Sequence, residues 1–248
     1  MIVSKKFELC IVIPCYNEAR FFRMEEYLQY IDNQELMMIC FVDDGSSDGT
    51  KLILEKIKKK YPDRIEVVAY AKNRGKAGAV LIGMNHCLSH FDFKNIAYLD
   101  ADLAVSLEEC TSLSKYLDGI IEFSFGSRIQ RVGSVIERKR SRFLIGRVVA
   151  TFISNILDLR VYDTQCGCKV FTRSLSQQVF TEKFISKWLF DVEIFFRIMK
   201  LYGHDESIIK MLEVPLDRWV DAGDSKVRLS YFYKLWIDLY RIRKAYKK

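Results

Sequence analysis

Two aspartates separated by one residue directly follow an apolar segment of this sequence. Asp100 and Asp102 come after residues 95–99, whose apolar run predicts a buried strand. Carboxylates at a strand end can hold one divalent cation, because Mg²⁺ and Mn²⁺ prefer hard oxygen ligands together with phosphate oxygens. A helix cap or a solvated turn gives the same short pattern. The pair therefore predicts a metal site only in combination with further acidic residues.

Two more polar clusters follow apolar segments in the same way, after residues 8–14 and 37–42. The first cluster holds Tyr16, Asn17 and Glu18, and the second holds Asp43 and Asp44. Parallel α/β sheets bind ligands beyond the carboxyl ends of their strands. We therefore expect the acidic clusters to meet at one edge, where a cation or hydrogen-bond donors must offset their repulsion.

A basic stretch with glycines precedes the helix predicted for residues 79–89. It contains Lys72, Arg74 and Lys76 around Gly75. Backbone N–H groups, a helix dipole and basic side chains together suit a phosphate, although an ordinary surface turn has the same composition. The stretch matches neither the dinucleotide-binding fingerprint nor the P-loop, which disfavours both of those classes.

The alternation of apolar runs with helical patterns predicts an α/β fold with a mostly parallel central sheet flanked by helices. Ser47 or Asp48 is expected to cap a helix that runs to about residue 60, and Ser106 to cap another. The other predicted helices cover residues 18–33, 138–160, 188–201 and 227–246, and the other predicted strands cover 65–70, 121–126, 170–171 and 213–219.

The net charge of +7 is concentrated in two stretches. Residues 128–147 carry seven basic residues and one acidic residue, and residues 226–248 carry eight and one, so the rest of the chain is acidic. Such segregation predicts anionic partners: a phosphorylated substrate, anionic lipid or nucleic acid. No known nucleic-acid-binding motif accompanies the basic stretches, and the acidic clusters oppose that reading, so we expect no nucleic-acid partner.

The seven cysteines show no disulfide spacing, and Cys10, Cys40, Cys87 and Cys110 are expected to be buried in a reducing compartment. No signal peptide and no apolar run of the roughly 18 residues needed to span a bilayer is visible. We therefore expect a cytoplasmic protein that meets the inner face of a membrane only peripherally.

The order and spacing of the motifs resemble family 2 inverting glycosyltransferases, which have the GT-A type nucleotide-diphospho-sugar transferase fold. The resemblance extends over roughly residues 8–230, and its later part is closest to the polyprenyl-phosphate branch, with dolichyl-phosphate glucosyltransferases and mannosyltransferases. Cys168 departs from the Gly-Phe-Lys common in that branch. The early motifs are residues 11–18, 42–50, 73–79 and 100–102, and the later ones are 126–128, 163–169, 188–193 and 224–227.

The resemblance implies a nucleotide-sugar donor and a bound Mg²⁺ or Mn²⁺ held by Asp100 and Asp102. It places Gln165 near the sugar or its phosphates, and Asp191 where many relatives have a catalytic base. Asp191 and Glu193 have an alternative reading as ordinary acids on a helix surface. The residues expected to bind the nucleotide-sugar are Pro14, Tyr16, Asn17, Glu18, Asp43, Asp44, Arg74, Lys76, Asp100 and Ala101.

The chemical class of the acceptor decides whether the reaction needs a general base. A sugar hydroxyl must lose its proton during attack, whereas a phosphate monoester is already an anion near neutral pH. Arg128, with Arg131 and Arg138 behind it, suits a phosphate because arginine binds phosphate oxygens in pairs. We therefore expect a polyprenyl phosphate acceptor, with Arg128 and Gln165 beside Asp191 at the catalytic centre. Whether Asp191 acts as a base or only orients other groups stays open at this point.

Other readings remain open at this point. A saccharide acceptor in cell-surface polysaccharide synthesis would use the same donor chemistry, and a sugar nucleotidyltransferase would share the α/β pattern but usually opens with a glycine-rich loop. Residues 1–226 are expected to form the catalytic domain. Residues 227–248 are expected to form a basic amphipathic helix, which either contacts an anionic membrane surface or packs on the domain.

Overall fold

Strands and helices alternate through most of the chain. The computed structural model describes residues 6–137, 140–220 and 231–246. The strands are β1 (Lys6–Cys15), β2 (Met37–Asp43), β3 (Ile65–Ala69), β4 (Asp92–Leu99), β5 (Phe123–Ser127), β6 (Val135–Glu137), β7 (Cys168–Thr172), β8 (Met211–Pro215) and β9 (Arg218–Val220). The helices are α1 (Met24–Asn33), α2 (Thr50–Lys60), α3 (Lys76–His90), α4 (Leu107–Ser114), α5 (Arg140–Leu157), α6 (Arg173–Val179), α7 (Phe190–Tyr202), α8 (His204–Lys210) and α9 (Tyr231–Tyr246).

Seven of these strands form one sheet in the order β3-β2-β1-β4-β7-β5-β8. The strands β3, β2, β1 and β4 run parallel to one another, and β8 is parallel to β5. Strand β7 runs antiparallel to both β4 and β5. The predicted mostly parallel sheet with flanking helices is therefore confirmed. Strands β6 and β9 pair separately as a short parallel ribbon.

Apolar side chains cover both faces of the sheet because alternate residues of a strand point to opposite faces. In β1, Cys10 and Val12 join the core cluster that includes α3 and α7, whereas Leu9 and Ile11 join the cluster that includes α1 and α4. Helix α3 lies very close to the sheet at Gly83, where a Cβ atom would be only 2.4 Å from Val12 Cγ1. All seven cysteines are buried, as predicted for four of them.

Several predicted boundaries were wrong. The helix predicted from residue 18 begins only at Met24, because the N–H groups of Glu18 and Ala19 bind the Thr50 hydroxyl in a loop. Gly49, rather than Ser47 or Asp48, is the cap residue of α2. Ser106 does cap α4, accepting a hydrogen bond from the Glu109 N–H at 3.1 Å.

The second half contains elements that the sequence pattern did not predict. The strand predicted for residues 213–219 is in fact two strands, β8 and β9, which belong to different sheets. Helices α6 and α8 and strand β6 were not predicted; each has only three to seven residues, too few to show a clear period. The predicted helix 138–160 corresponds to α5, and residues 138–139 lie outside the described residues.

Helices α5 and α9 lie together on the side of α7. Leu239 and Ile242 of α9 are buried in the same core cluster as Ile153 of α5. The rings of Phe152 and Trp236 meet edge to face, with centroids 5.1 Å apart. Among the residues that the structure describes, no helix is long and apolar enough to cross a bilayer.

Candidate active site

The carboxyl ends of β1 and β2 bring the first two polar clusters together. Cys15 and Asp43 are directly paired in the register of the two strands, and the Asp44 N–H donates to the Cys15 carbonyl at 2.9 Å. Pro14 is the last residue but one of β1, so the loop that carries Tyr16 leaves the sheet beside Asp43. Tyr16 is 41% exposed at this edge, whereas Asp43 and Asp44 are buried.

Hydrogen bonds between side chains and backbone hold the two loops to each other. The Asn17 carboxamide oxygen accepts the Ser47 N–H at 2.9 Å, and the Asn17 N–H donates to the Ser46 hydroxyl at 3.0 Å. Asn17 has a positive φ of 53°, a conformation that asparagine tolerates better than most residues. The Glu18 N–H donates to the Thr50 hydroxyl at 2.8 Å. Glu18 is therefore fixed at its backbone while its carboxylate belongs to the acidic edge.

Asp44 holds the basic loop that precedes α3. Its two carboxylate oxygens accept the N–H groups of Arg74 and Gly75, both at 2.8 Å. Burial raises the pKa of Asp44, and these hydrogen bonds oppose that rise. Arg74 is exposed and its guanidinium lies 5.1 Å from the Tyr70 ring centroid. Asp44 thus acts as a loop anchor, and Arg74 and Lys76 stand on either side of the anchored glycine.

Asp100 and Asp102 follow β4 at the same edge. The Lys76 ammonium lies 2.6 Å from Asp100 Oδ1. Burial and the charge of Asp100 raise the pKa of Asp102, and Glu18 is also close enough to contribute. Asp100 is pressed against Gly167, where a Cβ atom would lie 2.1 Å from Asp100 Oδ2, so only glycine fits there. The three acidic clusters therefore converge on one edge of the sheet.

This edge fits a hard divalent cation in part. Within the described residues, no group of three or more His, Cys, Asp or Glu side chains is arranged to hold a metal by itself. Mg²⁺ commonly takes only one or two carboxylates from a protein and the rest of its ligands from water and substrate phosphates. Burial first and then the nearby charge of Asp100 raise the pKa of Asp102, so a cation at this edge would offset both effects. Asp100 and Asp102 thus suit a cation that arrives together with a diphosphate.

Asp191 lies buried at the start of α7. Its Oδ1 atom accepts hydrogen bonds from the Lys169 ammonium and the Tyr98 hydroxyl, both at 2.5 Å. Lys169 is fully buried in β7 and also donates to the Cys166 carbonyl at 2.8 Å. The interpretation of Asp191 and Glu193 as ordinary surface acids was wrong, because the residues are only 4% and 0% exposed.

The Lys76 ammonium interacts electrostatically with Asp191 and with the candidate metal ligands Asp100 and Asp102. Burial alone would lower the pKa of Lys76, but the carboxylates of Asp100 and Asp191 outweigh this effect and raise it. Lys76 therefore keeps its positive charge between the two acidic groups. Burial and Asp191 also raise the pKa of Tyr98, so this phenol keeps its proton and remains a donor.

Glu193 has a structural role. It accepts hydrogen bonds from the Ile185 N–H, the Arg197 guanidinium and the Tyr246 hydroxyl, at 2.7, 2.9 and 2.9 Å. These bonds join α7 to α9 and to the segment that precedes α7. The buried carboxylate is thus satisfied by three donors, as a buried charge requires.

Arg128 forms a two-point ion pair with Asp163. Its Nε and Nη2 atoms lie 2.6 and 2.8 Å from the two Asp163 oxygens. The Glu213 carboxylate accepts the N–H groups of Tyr162 and Asp163, which fixes the loop before β7. Burial lowers the pKa of Arg128, but Asp163 outweighs it, and the charge of Asp100 adds to the rise. Arg128 is therefore a permanent cation within electrostatic reach of Asp100.

The remaining predicted site residues lie in the loop before β7, after β4 and on the surface. Gln165 lies in the loop before β7, two residues from Gly167, which touches Asp100. Ala101 follows β4, and its carbonyl accepts a hydrogen bond from the Tyr27 hydroxyl at 3.1 Å. Arg131 is an exposed residue that forms an ion pair with Asp217. The Arg131 side chain is therefore held in an ion pair on the surface. Arg138 lies outside the described residues.

Sequence reasoning missed three residues of this region. Tyr98 and Lys169 hold Asp191, and Lys187 lies against Gly75. A lysine inside the otherwise apolar strand β7 was a usable signal, because lysine is almost never fully buried without a partner. Tyr98 and Lys187 gave no comparable signal, since aromatic residues in strands and lysines in loops are common.

Comparison with known proteins identifies the class. A sequence model described as glycosyl transferase family 2 matches residues 10–180. The chain belongs to glycosyltransferase family 2, and it is a glycosyltransferase enzyme. The solved structures that it resembles are GT-A glycosyltransferases, which confirms the predicted fold class.

Three relatives that match in sequence are named dolichyl-phosphate beta-glucosyltransferase. A dolichyl-phosphate beta-glucosyltransferase of Trichomonas vaginalis is 30% identical over 94% of this chain and 72% of its own length. Its human counterpart is 29% identical over 92% and 77%. The corresponding protein of Saccharomyces cerevisiae is 30% identical over 96% and 75%.

The solved structures agree in fold at lower sequence identity. Glucosyl-3-phosphoglycerate synthase from Mycobacterium tuberculosis, solved with Mn²⁺, UDP and glucosyl-3-phosphoglycerate, has a TM-score of 0.67 at 14% identity, covering 96% of this chain and 79% of that chain. A mannosyltransferase from Pyrobaculum calidifontis, solved with GDP-mannose and Mn²⁺, has a TM-score of 0.61 at 19% identity, covering 97% and 64%.

The Arg128–Asp163 pair predicts a pH-dependent loss of stability. Asp163→Asn should lower the free energy of unfolding by about 3 kcal/mol at pH 7, since it leaves a largely buried guanidinium without its counter-charge. The Arg128 guanidinium outweighs the effect of burial and holds the pKa of Asp163 below its usual value. The pair's contribution is therefore present above about pH 4 and is lost as the pH falls through the folded-state pKa.

Urea unfolding at pH 7 and at about pH 3 would measure this difference, which should shrink at the lower pH. Asp217→Asn is the matched control, because it breaks the exposed pair with Arg131 and should cost less than about 1 kcal/mol. Equal losses for the two variants at pH 7 would show that the buried pair does not stabilise the loop.

Proposed function

We propose that this enzyme transfers a hexose, with inversion, from a UDP- or GDP-sugar to a polyprenyl phosphate such as dolichyl phosphate. The names of the relatives that match over nine-tenths of the chain support dolichyl phosphate as the acceptor and glucose as the sugar. The named structures with the same fold include UDP and GDP-mannose complexes, so both bases are kept.

The environment of Asp191 carries this proposal. A saccharide acceptor requires a general base within hydrogen-bond reach of the attacking hydroxyl. The residue expected at that position is buried, and one of its oxygens is occupied by the Lys169 ammonium and the Tyr98 hydroxyl. These two donors hold Asp191 Oδ1 in place and give the carboxylate a positioning role toward Lys169 and Tyr98. Such a carboxylate suits an acceptor that brings its own negative charge.

The reaction follows from this chemistry. An oxygen of the acceptor phosphate attacks the anomeric carbon on the face opposite the nucleotide, and the bond from that carbon to the diphosphate oxygen breaks. The electron pair leaves with the nucleoside diphosphate, and no proton must be removed from the acceptor. Lys76, whose charge is kept by Asp100 and Asp191, would stabilise the negative charge that develops on the leaving group.

Donor and metal share the acidic edge in this proposal. Pro14, Tyr16, Glu18 and Asp43 would surround the nucleobase and ribose, with Asn17, Asp44, Arg74 and Ala101 beside them. Asp100 and Asp102 would hold Mg²⁺ or Mn²⁺ against the diphosphate, where the cation supplies Lewis-acid stabilisation of the departing phosphate. The Mn²⁺ named in the complexes of two proteins of the same fold supports this cofactor.

The acceptor phosphate would bind on the side of Arg128. Arg128 is a permanent cation whose charge reaches Asp100, and Gln165 lies in the adjoining loop. Arg131 and Arg138, which follow Arg128 in the sequence, are proposed to add positive charge for the acceptor phosphate. Asp163 keeps the Arg128 guanidinium oriented, so the arginine presents a fixed charge instead of a mobile one.

Acceptor choice is tested by supplying UDP-glucose or GDP-mannose with Mn²⁺ to dolichyl phosphate, to dolichol and to a free saccharide. We expect transfer to dolichyl phosphate alone, with the opposite anomeric configuration in the product and a rate that is constant above about pH 7, because the second phosphate pKa is about 6. Asp102→Asn should abolish transfer. Transfer to the saccharide but not to dolichyl phosphate would contradict the proposed acceptor.

A lipid acceptor implies contact with a membrane surface, and α5 and α9 present a suitable face. Leu144 and Val148 lie one turn apart on α5 and are exposed, as are Trp236 and Tyr240 on α9. The contact between Phe152 and Trp236 joins the two rows into one surface. The exposed cations of α9 on or beside this surface suit anionic lipid: they are Lys234, Arg241, Arg243 and Lys244.

Sedimentation with phosphatidylcholine vesicles, with and without phosphatidylserine, tests this surface. Binding should require the anionic lipid, and Leu144→Glu combined with Val148→Glu should weaken it by at least about tenfold, because two apolar side chains no longer enter the interface. Leu52→Glu, an exposed leucine of α2, is the matched control and should bind like the unmodified protein. Unchanged binding of the double variant would exclude α5 from the contact.

A further inference from the structure

The segment between α6 and α7 reaches the basic loop at the donor site. The aliphatic chain of Lys187 lies along Gly75, where a Cβ atom would be 3.1 Å from Lys187 Cδ. The Lys187 carbonyl accepts the Ala77 N–H at 3.4 Å, at the first turn of α3. Gly75 has a φ of 82° and cannot easily be replaced, so Lys187 packs on a backbone of fixed shape.

Lys187 places a positive charge at this loop. The residue is exposed, and its ammonium acts on Asp44, the carboxylate that anchors Arg74 and Gly75. In the part of the chain that the structure describes, no carboxylate forms an ion pair with Lys187. Lys76, by contrast, already lies 2.6 Å from Asp100. Lys187 therefore adds beside this loop a cation that is not held in an ion pair with any of the described carboxylates.

The segment that carries Lys187 is firmly held. The Ser186 hydroxyl donates to Asp238 of α9 at 2.7 Å and accepts the Leu189 N–H at 3.0 Å. The Ile185 N–H donates to Glu193 at 2.7 Å. These bonds fix the residues on one side of Lys187 to α7 and α9, so its backbone does not need to be ordered when a ligand binds. A pre-positioned cation loses less entropy on binding than a mobile one.

We propose that Lys187 binds the diphosphate of the nucleotide-sugar donor beside the loop that carries Arg74 and Lys76. This inference rests on the proposed function, because it assigns a further residue to the same donor site. One divalent cation can offset the charge of the bound nucleotide-sugar diphosphate, but the negative charge of the diphosphate rises when the sugar leaves, and a further cation is then needed. Lys187 would supply an ammonium that contacts phosphate oxygens as a point charge.

Calorimetric titration with UDP and GDP in the presence of Mn²⁺ tests the assignment. Lys187→Met keeps the aliphatic chain against Gly75 and removes the charge, whereas Lys187→Arg keeps the charge. We expect Lys187→Met to weaken binding of the preferred diphosphate about tenfold, the size of one charge-assisted contact, without changing the melting temperature. Lys187→Arg should stay close to the unmodified protein, as should Lys183→Met, an exposed lysine of the same segment.

The outcomes separate the inference from the proposed function. If the unmodified protein binds a diphosphate and Lys187→Met binds it equally well, Lys187 does not contact the donor. If Lys187→Met loses affinity together with thermal stability, the lysine only supports the loop, and the inference is wrong. If the unmodified protein binds neither diphosphate, the proposed function fails, and this inference fails with it.

Discussion

The crowding of carboxylates at one edge of a parallel sheet is the constraint on which the rest of this structure depends. The strand order places Asp43, Asp44 and Asp100 at neighbouring strand ends. The carboxylates repel one another there unless other groups compensate their charge. The protein offsets this repulsion by different means at different points. Asp44 receives two backbone N–H groups and Asp100 receives the Lys76 ammonium, whereas burial and the charge of Asp100 leave the pKa of Asp102 raised. An edge built this way attracts a cation together with its phosphate.

The irregular second half of the chain adds two buried or partly buried ion pairs beside this edge. Strand β7 enters the sheet antiparallel and carries Lys169 to the buried carboxylate of α7. The loop before β7 holds Arg128 through Asp163, and that loop is fixed in turn by Glu213. Removing one partner of a buried ion pair is costly because the other charge stays behind without compensation. The same contacts therefore stabilise the fold and fix the electrostatics of the site.

Much of the first half was predictable from the sequence, because each strand there is a continuous apolar run and each polar cluster follows one. Strand ends fix which residues converge, so the acidic edge followed from periodicity and topology alone. The pairing of Lys169 with Asp191 was not predictable, since it joins residues 22 positions apart through the antiparallel insertion of β7. The start of α1 at Met24 also could not be predicted from the sequence. The Glu18 N–H donates to a side-chain hydroxyl 32 residues away, that of Thr50, instead of taking part in a helix. Family resemblance supplied the residue roles that periodicity could not.

The most direct test of the central claim is calorimetric binding of UDP, GDP, UDP-glucose and GDP-mannose, with Mn²⁺ or with EDTA, to the unmodified protein and to Asp102→Ala. A metal-bridged donor site predicts tight binding of one nucleotide and its sugar, lost in EDTA and weakened at least about tenfold by the substitution. Binding that is equally tight in EDTA and in Asp102→Ala would contradict the metal bridge. The absence of binding under every condition would contradict a donor site at this edge.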